Sequence, residues 1–463
     1  MSENESNNQA FNRRDFLKGG SVATMMTMLG GVELFAQTNT PPAGETKPAA
    51  VKMKVAVIGL GAWGREIINT LATVPEADLA AICDTYAASL KRIASAAPGA
   101  AQVADYKAIL ENKDIKALVI ATPSPSHKEI ALAALKAGKH VYCEAPIANS
   151  IEDAKEIALA AKAAKRSVFQ SGLQMRSDPE RRFLLPFIRS GALGKNVMAR
   201  AQWHKKTTWR STSPNSEREK ALNWRLDKTT SLGLLGEIGI HQFDQSAWFI
   251  NALPVAATAW GSIQLWNDGR DVADTVQAVL EFPQGVRMTY DATLANSFDG
   301  EYEMIYGSDA AIMMRVREEG PDRESKAWMF KEVDSPLLGW EVYASKVQFY
   351  KETGIALVAD ASKPPKTDEK GQPIPEVPRT PLFCALQNFL RNSTDLDAAA
   401  EDYKASYGAD DVDGLLESLA KVPRRASAGY LEGYQAVVIA ATANEAAARG
   451  SRIELKPELY ELK

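Results

Sequence analysis

The fold is decided by "KVAVIGLGAWG", residues 54–64, a β-branched apolar run that ends in Gly59-Leu60-Gly61-Ala62-Trp63-Gly64. Apolar residues then recur at helical spacing in "REIINTLA". A strand, a glycine-rich turn and a helix in direct succession predict the first unit of a parallel α/β sheet. Gly59 allows the tight turn, Gly61 lets the backbone approach a phosphate group, and Gly64 lets helix and strand pack closely.

A second strand indicates what the turn binds. About twenty residues downstream, "ADLAAICD" ends in Asp84. A carboxylate there accepts hydrogen bonds from an adenosine ribose and repels a 2′-phosphate, while the helix N-terminus attracts a pyrophosphate. We therefore predict NAD as the cofactor, with NADP less favoured. The alternative is a glycine turn that binds no nucleotide.

Two further strands, "ALVI" of residues 117–120 and "HVYC" of residues 140–143, are each followed by a polar turn. Ligands bind parallel sheets at the carboxyl ends of the strands, so these turns are predicted to line the same cleft. The predicted cofactor-binding residues are Gly59, Gly61, Ala62, Trp63, Gly64, Asp84, Thr122, Pro123, His127, Glu144 and Pro146.

The glycine turn, "ATPSPSH", "CEAP" and "GEIGIHQFD" together resemble the Gfo/Idh/MocA oxidoreductases, whose members act mostly on sugars, inositols and related polyols. The resemblance covers about residues 52–460. It implies a second domain with an open, mostly antiparallel sheet whose exposed face often forms the oligomer contact, so a homodimer or homotetramer is expected. The chain departs from the family at one point, because Ala145 stands where family members commonly carry the acid/base lysine of E-K-P.

The expected fold class is α/β. It comprises a doubly wound Rossmann domain over residues 51–172 and an α+β domain for substrate binding and oligomerisation over residues 173–380. Family members return their late helices to the cofactor domain, and residues 381–463 are expected to do the same. A length of 463 residues agrees with two domains. Residues 360–380 are Pro-rich and polar and are expected to form a surface loop.

Residues 1–50 are predicted to be a targeting segment and a linker. Arg13-Arg14, Phe16-Leu17 and the weakly apolar residues 21–36 occur in the order of a twin-arginine signal, which exports folded proteins. This predicts a periplasmic protein with cleavage near Ala36, and the alternative is a disordered basic tail. The run is too short and polar for a confident membrane span.

Composition narrows the function classes. A net charge of -4 provides no basic field for a nucleic-acid backbone. Hydrophobic residues make up 45% and charged residues 24%, as in soluble globular proteins. Cys83, Cys143 and Cys384 are expected to be small core residues.

"GEIGIHQFD" carries the candidate chemistry. The spacing of Glu237, His241 and Asp244 would place them on one helix face. His241 can move a hydroxyl proton, and Asp244 would orient the histidine or bind a substrate hydroxyl. The candidate catalytic residues are His241, Asp244 and Glu144. The family counterpart of Glu144 shapes the nicotinamide site. A core histidine is the alternative, and no metal is expected because a second histidine in H-E-x-x-H spacing is missing.

Aromatic and cationic side chains crowd residues 203–225. Tryptophan faces pack against sugar C–H groups, and arginines bind hydroxyls or carboxylates. A loop cover packed on the domain seam is the alternative. The predicted substrate-binding residues are Arg176, Trp209, Arg225 and His241.

Three functions are compatible with these residues. The first is an exported NAD-dependent oxidoreductase acting on a sugar or polyol with a tightly bound cofactor. The second is a redox-neutral glycosidase that oxidises, eliminates, adds water and reduces again; some such relatives also lack the lysine. The third is a non-catalytic sugar-binding protein on the same frame.

Overall fold

The computed structural model describes residues 51–213, 215–316, 325–335, 346–349, 352–357 and 379–463. The predicted signal and linker of residues 1–50, and the predicted surface loop except for its last two residues, lie outside the described part of the chain.

The first sheet is parallel and has six strands. Its strands are β1 (Met53–Ile58), β2 (Ala77–Cys83), β3 (Ala101–Val103), β4 (Ala117–Ile120), β5 (His140–Cys143) and β6 (Phe169–Ser171). Their order is β3-β2-β1-β4-β5-β6, so the chain reverses direction across the sheet between β1 and β4. The strand ends at this reversal form the crevice where doubly wound folds bind ligands. The predicted Rossmann sheet is confirmed.

Five helices cover this sheet: α1 (Ala62–Leu71), α2 (Ala87–Ile93), α3 (Tyr106–Glu111), α4 (His127–Lys136) and α5 (Ile151–Ala163). The central strands β4 and β5 are buried along their whole length because helices lie on both faces. The apolar stripe of α1, with Ile67, Ile68 and Leu71, is buried in the same core. The glycine turn is therefore fixed between two rigid elements.

After α6 (Pro179–Arg189) the chain builds a second, ten-stranded sheet. The order is β14-β15-β13-β12-β11-β7-β10-β9-β8-β16. Every neighbouring pair is antiparallel except β7 and β10, which confirms the open, mostly antiparallel sheet. The strands are β7 (Asn196–His204), β8 (Ala256–Ser262), β9 (Thr275–Glu281), β10 (Arg287–Thr293), β11 (Glu301–Gly307), β12 (Ala310–Val316), β13 (Ser325–Lys331), β14 (Lys346–Phe349), β15 (Glu352–Leu357) and β16 (Ile453–Glu454).

Between β7 and β8 lie α7 (Ser216–Leu222), α8 (Gly233–Glu237) and α9 (Gly239–Ile250). The single helix expected across "GEIGIHQFD" is wrong, because the helix is interrupted at Ile238, with φ of -117° and ψ of -56°. Tight packing surrounds the break: a Cβ at Gly239 would lie 3.1 Å from the rings of Phe243 and Tyr290. The break changes the directions of Glu237 and His241, so helical spacing does not relate them.

The chain ends in α10 (Pro381–Tyr407), α11 (Val412–Ala420) and α12 (Tyr430–Arg449). Helix α10 packs on α1, and its Phe389 meets Tyr142 of β5 with ring centroids 5.7 Å apart. Helix α12 contacts both α5 and β8, and so bridges the two sheets' layers.

The three cysteines are buried and free, as expected. Across the described ranges, no helix is long and apolar enough to cross a membrane.

Candidate active site

The glycine turn after β1 contains glycines of two kinds. Gly59 has a φ of +96°, and a Cβ there would lie 2.6 Å from the Ala121 carbonyl oxygen. A Cβ at Gly64 would lie 1.9 Å from the carbonyl oxygen of Gly59, so close backbone packing requires glycine at both positions. A Cβ at Gly61 would meet no atom of the described residues within 4 Å. Packing does not require glycine at Gly61, and the open space above it suits a group that approaches the backbone.

The first turn of α1 is prepared for an anion. No side chain of the described residues caps its N-terminus at Gly61, and its first turn, which includes Ala62 and Trp63, has no acidic residue. The Asp84 carboxylate lies beside the turn, where it accepts the N–H of Leu60 at 3.0 Å and the N–H of Tyr86 at 2.8 Å. Each carboxylate oxygen can accept a further hydrogen bond. The residues present therefore fit a dinucleotide, with its pyrophosphate at α1 and a ribose at Asp84.

The ends of β4 and β5 are tied together by a buried histidine. His127 Nε2 lies 2.9 Å from the Thr122 carbonyl oxygen, and Nδ1 lies 3.0 Å from the Pro146 carbonyl oxygen. Burial lowers the pKa of His127, although the neighbouring carbonyls oppose this. Since both ring nitrogens face the backbone, His127 shapes the cleft edge and has no free nitrogen for the cofactor contact predicted from sequence.

Thr122 and its neighbour Pro123 lie at the same edge and are partly buried. The Thr122 hydroxyl is buried and has no hydrogen-bond partner within the described ranges. A buried, unpartnered hydroxyl at the carboxyl end of a central strand is an available contact for a bound ligand.

Glu144 follows β5 and is buried against Gly172, where a Cβ would lie 2.4 Å from Glu144 Oε2. Burial raises the pKa of Glu144 to about 7, and this rise is opposed by the Trp63 side chain, the Ala145 N–H and the charge of Arg225. Its Oε1 has no hydrogen-bond partner among the residues described. Glu144 can therefore hold or release a proton near neutral pH. Ala145 is joined to the buried Pro146 by a cis peptide bond.

A guanidinium from the second domain supplies positive charge near Glu144 and Glu237. Arg225 lies on the turn after α7, and its charge opposes the rise in pKa that burial causes at both Glu144 and Glu237. Its Nε is 3.7 Å from Glu237 Oε2. The guanidinium carbon lies 4.8 Å from the ring centroid of Trp224 and 5.9 Å from that of Trp209. The predicted residues Arg225 and Trp209 are thus brought together at the Glu144 side of the cleft.

Glu237 connects the two domains. Its carboxylate accepts hydrogen bonds from Ser124 after β4, at 3.5 Å, and from Ser231 before α8, at 3.3 Å. Burial raises the pKa of Glu237, and Arg225 and the serine hydroxyls oppose this. From the sequence, Glu237 was expected on one helix face with His241, and its contact with the first domain was not predicted. Nothing in its local sequence identifies the partner serine, which lies 113 residues away.

His241 lies in the first turn of α9 and keeps part of its surface accessible. Its imidazole makes no side-chain hydrogen bond to any residue that the structure describes. Burial lowers its pKa to about 4, so the ring is neutral at ordinary working pH. A neutral, unpartnered imidazole can accept a proton from a ligand hydroxyl.

Asp244 is engaged by Arg176 and does not orient His241. Arg176 Nε lies 2.9 Å from Asp244 Oδ2, and Arg176 Nη2 lies 2.8 Å from Asp244 Oδ1. The guanidinium therefore binds both carboxylate oxygens, which is the strong bidentate arrangement. Asp244 was expected either to orient His241 or to bind a substrate hydroxyl. The first role is not observed, because both carboxylate oxygens face Arg176 in the turn of Gln174–Ser177. Arg176 and Asp244 nevertheless pair at α9, whose first turn carries His241.

Trp209 adopts a backbone conformation that is rare for a large side chain, with a φ of +58°. Both neighbouring residues contact Asp268. The Thr208 hydroxyl donates to its carboxylate at 2.9 Å, and Arg210 Nε lies 3.2 Å from the same carboxylate. Arg270 also donates to Asp268, which holds the pKa of that carboxyl well below its usual range. Such strain persists only where the surroundings fix it, as is common at binding sites.

Two other residues of the crowded segment 203–225, Trp203 and His204, lie elsewhere. Trp203 is buried in the core, and His204 Nε2 lies 2.6 Å from Asp291 of β10. Both belong to β7, where alternation directs successive side chains to opposite faces. Sequence proximity therefore overstated the cluster, of which Trp209, Trp224 and Arg225 come together. Within the described ranges, no group of three His, Cys, Asp or Glu side chains could hold a metal ion.

Comparison with known proteins agrees with this architecture. Residues 53–171 match the oxidoreductase family with an NAD-binding Rossmann fold, and residues 185–313 match the Gfo/Idh/MocA C-terminal domain. Together the two matches cover more than half of the chain.

Two relatives are similar in sequence. The inositol 2-dehydrogenase 2 of Saccharopolyspora erythraea is 26% identical over 362 residues, which are 72% of this chain and 99% of that protein. The levoglucosan dehydrogenase of Pseudarthrobacter phenanthrenivorans is 32% identical over 186 residues, or 39% of this chain and 45% of that protein.

Two solved structures share the fold. A levoglucosan dehydrogenase in complex with NADH has a TM-score of 0.64 at 21% identity, covering 88% of this chain and 99% of that one. The aldose-aldose oxidoreductase from Caulobacter crescentus, complexed with glycerol, has a TM-score of 0.62 at 18% identity, covering 87% and 100%. The chain belongs to the Gfo/Idh/MocA family of oxidoreductases, and residues 53–171 form its NAD-binding domain.

Proposed function

We propose that the protein is an exported NAD-dependent oxidoreductase that acts on a sugar or sugar-like polyol and keeps its cofactor bound through the catalytic cycle. The observation that carries the chemistry is His241, which is neutral, partly accessible and without a side-chain partner among the described residues. The names of the similar proteins, an inositol dehydrogenase and a levoglucosan dehydrogenase, support the substrate class.

NAD, when bound, would accept the hydride from the substrate carbon. The His241 imidazole would take the proton of the hydroxyl on that carbon, since with a pKa of about 4 it is unprotonated near neutral pH. Arg176, held by Asp244, presents its remaining N–H donors near α9. Trp209 and Trp224 offer apolar faces for the C–H side of a sugar ring.

Arg225 and Glu144 would complete the site. Arg225 is exposed at its end and lies between carboxylates and tryptophan rings, which suits a donor to substrate hydroxyls. Glu144 would shape the nicotinamide end of the cleft and exchange a proton near neutral pH. In this arrangement the function of the family's lysine is divided between His241 and Arg225.

A redox-neutral glycosidase is the second candidate, and the combination of Ala145 with Glu144 favours it. Elimination and water addition need one group that removes a proton and one that returns it. A carboxyl with a pKa of about 7 and a neutral imidazole would together provide a group for each direction. Family membership makes the chain an oxidoreductase, so we do not retain the non-catalytic sugar-binding alternative.

A substrate panel on the purified protein tests these candidates. Free sugars and polyols should reduce the bound cofactor, as measured by the absorbance of reduced nicotinamide. His241→Gln should lower turnover by about a hundredfold or more, because it removes the proton acceptor while retaining a similar size. Lys220→Ala is a control on exposed α7 and should leave turnover unchanged.

Aryl glycosides distinguish the two enzymes. Release of the aryl group without net accumulation of reduced nicotinamide, lost in His241→Gln, would establish the glycosidase. Reduction of nicotinamide by free sugars without any cleavage would establish the dehydrogenase. Inactivity toward every sugar and polyol, with cofactor bound, would refute the proposed substrate class.

Export and assembly complete the proposal. The order of Arg13-Arg14, Phe16-Leu17 and residues 21–36 supports transport of the folded, cofactor-loaded protein to the periplasm. Cell fractionation of wild type and an Arg13→Lys/Arg14→Lys variant tests it.

Exposed Val197, Met198 and Trp260 on the second sheet support a homodimer or homotetramer, which light scattering measures.

A further inference from the structure

Residues 215–232, which we name the strap, run from the second domain along the carboxyl edge of the Rossmann sheet. The strap comprises α7, the turn of Trp224–Leu226 and the loop to Leu232. It meets the first domain at three separate points. The Arg218 guanidinium lies 4.3 Å from the ring centroid of Tyr86, Arg225 acts on Glu144, and Asn149 donates to the Thr230 carbonyl at 3.4 Å.

These points belong to opposite ends of the dinucleotide cleft. Tyr86 follows β2 and donates its N–H to Asp84, the ribose-binding carboxylate, whereas Glu144 follows β5. The strands β2 and β5 are separated by β1 and β4 in the sheet, which is roughly 14 Å at the usual strand spacing. The glycine turn lies after β1, so along the sheet edge the pyrophosphate position falls between the strap's point at Tyr86 and its point at Glu144.

The strap is held firmly on its own domain. Asn223 accepts the Ser211 N–H at 2.7 Å and donates to the Ser211 carbonyl at 2.7 Å. Asp271 accepts the Lys228 N–H at 2.8 Å, and its own N–H donates to Leu226. A strap fixed in this way loses little conformational freedom on contact with a ligand, which strengthens each contact that it makes.

Arg218 is the residue placed to contact the nucleotide. Its Nε is buried and has no hydrogen-bond partner in the described part of the chain, although its guanidinium covers the ring of Tyr86. Tyr86 keeps 38% of its surface exposed beside the ribose carboxylate. A planar cation over an aromatic ring offers both a stacking face and free donors to an adenosine group.

We propose that the strap clasps the adenosine half of the bound dinucleotide through Arg218 and Tyr86, and thereby slows its release. The inference rests on the retained cofactor proposed above and assigns that retention to two residues. The strap would explain how a cofactor stays bound in a compartment where it cannot be replaced.

Release of NADH from the loaded protein tests this proposal. The loaded protein is diluted into excess NAD, and the fluorescence of bound NADH is followed. Arg218→Ala should raise the dissociation rate about tenfold, since a partly desolvated cation–π contact is lost. Lys220→Ala, an exposed substitution on the same helix, should leave the rate unchanged. Equal rates for Arg218→Ala and wild type would overturn the proposal, even if wild-type NADH dissociates quickly and the retained-cofactor proposal fails by itself.

Fragments of the cofactor locate the contact. Arg218→Ala should weaken binding of AMP and leave binding of nicotinamide mononucleotide unchanged, as measured by displacement of NADH. A loss confined to nicotinamide mononucleotide would contradict the assignment to the adenosine half. Without nucleotide, the thermal midpoint of Arg218→Ala should match that of Lys220→Ala. This match would show that faster release reflects a lost contact and not impaired folding.

A double-mutant cycle tests whether the two residues act as one clasp. Tyr86→Ala should also accelerate release, and the double variant should be no faster than the quicker single variant, because either substitution breaks the same contact. Fully multiplicative effects of the two substitutions would show that Arg218 and Tyr86 act separately, and would overturn the clasp.

Discussion

Arg176 and Asp244 form a bidentate ion pair between the turn after β6 and helix α9, with guanidinium–carboxylate distances of 2.8 to 3.2 Å. The Asp244 side chain is 6% exposed and that of Arg176 is 17% exposed. The pair fixes α9, which carries His241, against the first residues after the Rossmann domain. Arg176 thus positions the helix that carries His241, and among the described residues no carboxylate pairs with the His241 imidazole.

Arg176→Ala should destabilise the protein by about 3 kcal/mol, because it leaves the Asp244 carboxylate buried without its counter-ion. Asp244→Ala on the same background should recover part of that loss, since the unpaired charge is then removed. Urea unfolding of the two single variants and the double variant measures both effects. A change below about 0.5 kcal/mol for Arg176→Ala would mean that the pair contributes as little as an exposed one.

Glu144 should make stability depend on pH in the direction opposite to that of most carboxylates. Burial raises its pKa to about 7 in the folded state, above its ordinary value near 4.5. The folded protein therefore favours the protonated form: this contribution is complete below about pH 4.5 and is lost as pH rises through 7. Relative to Glu144→Gln, the nucleotide-free wild type should lose up to about 3 kcal/mol between pH 5 and 8.

Urea unfolding at several pH values, after removal of nucleotide, measures this difference. Glu111→Gln, an exposed glutamate substitution, serves as the matched control and should show no such trend. A difference between wild type and Glu144→Gln that stays constant across this range would show that Glu144 does not titrate there.

Trp209 offers a test of backbone strain at the substrate side of the cleft. At a φ of +58°, an alanine is strained and a glycine is not. Trp209→Gly should therefore be about 1 kcal/mol more stable than Trp209→Ala, reversing the usual order of these two residues. Both variants should weaken substrate binding, seen as a raised KM, because both lack the ring. A more stable alanine variant would show that the contacts of Thr208 and Arg210 with Asp268 impose no backbone strain on residue 209.

Gly61 and Gly64 separate a binding glycine from a packing glycine. Gly61→Ala should leave the thermal midpoint without nucleotide almost unchanged and weaken NADH binding by at least tenfold, because its Cβ enters open space above the turn. Gly64→Ala should lower the midpoint itself, since its Cβ would lie 1.9 Å from the Gly59 carbonyl oxygen. Calorimetric unfolding and NADH titration of both variants check this. Equal effects of the two substitutions on unfolding would contradict the distinction.

The sequence by itself determined the parallel sheet, the glycine turn and Asp84, because these depend on local patterns: periodicity, turn residues and a fixed spacing along the chain. The open, mostly antiparallel second sheet was expected from the family resemblance. The sequence proposed His241 and Arg176 as site residues through the same resemblance, without the pairing of Arg176 with Asp244.

Only the tertiary structure decided the partners. Asp244 binds Arg176 across 68 residues, Glu237 binds Ser124 across 113, and Arg218 covers Tyr86 across the cleft. Such contacts depend on where the helices are interrupted and on how the two domains pack together. Patterns among residues close in sequence do not contain this information. The break at Ile238 is the clearest case: regular helical spacing predicted a shared face, and packing of Gly239 against Phe243 and Tyr290 divided it.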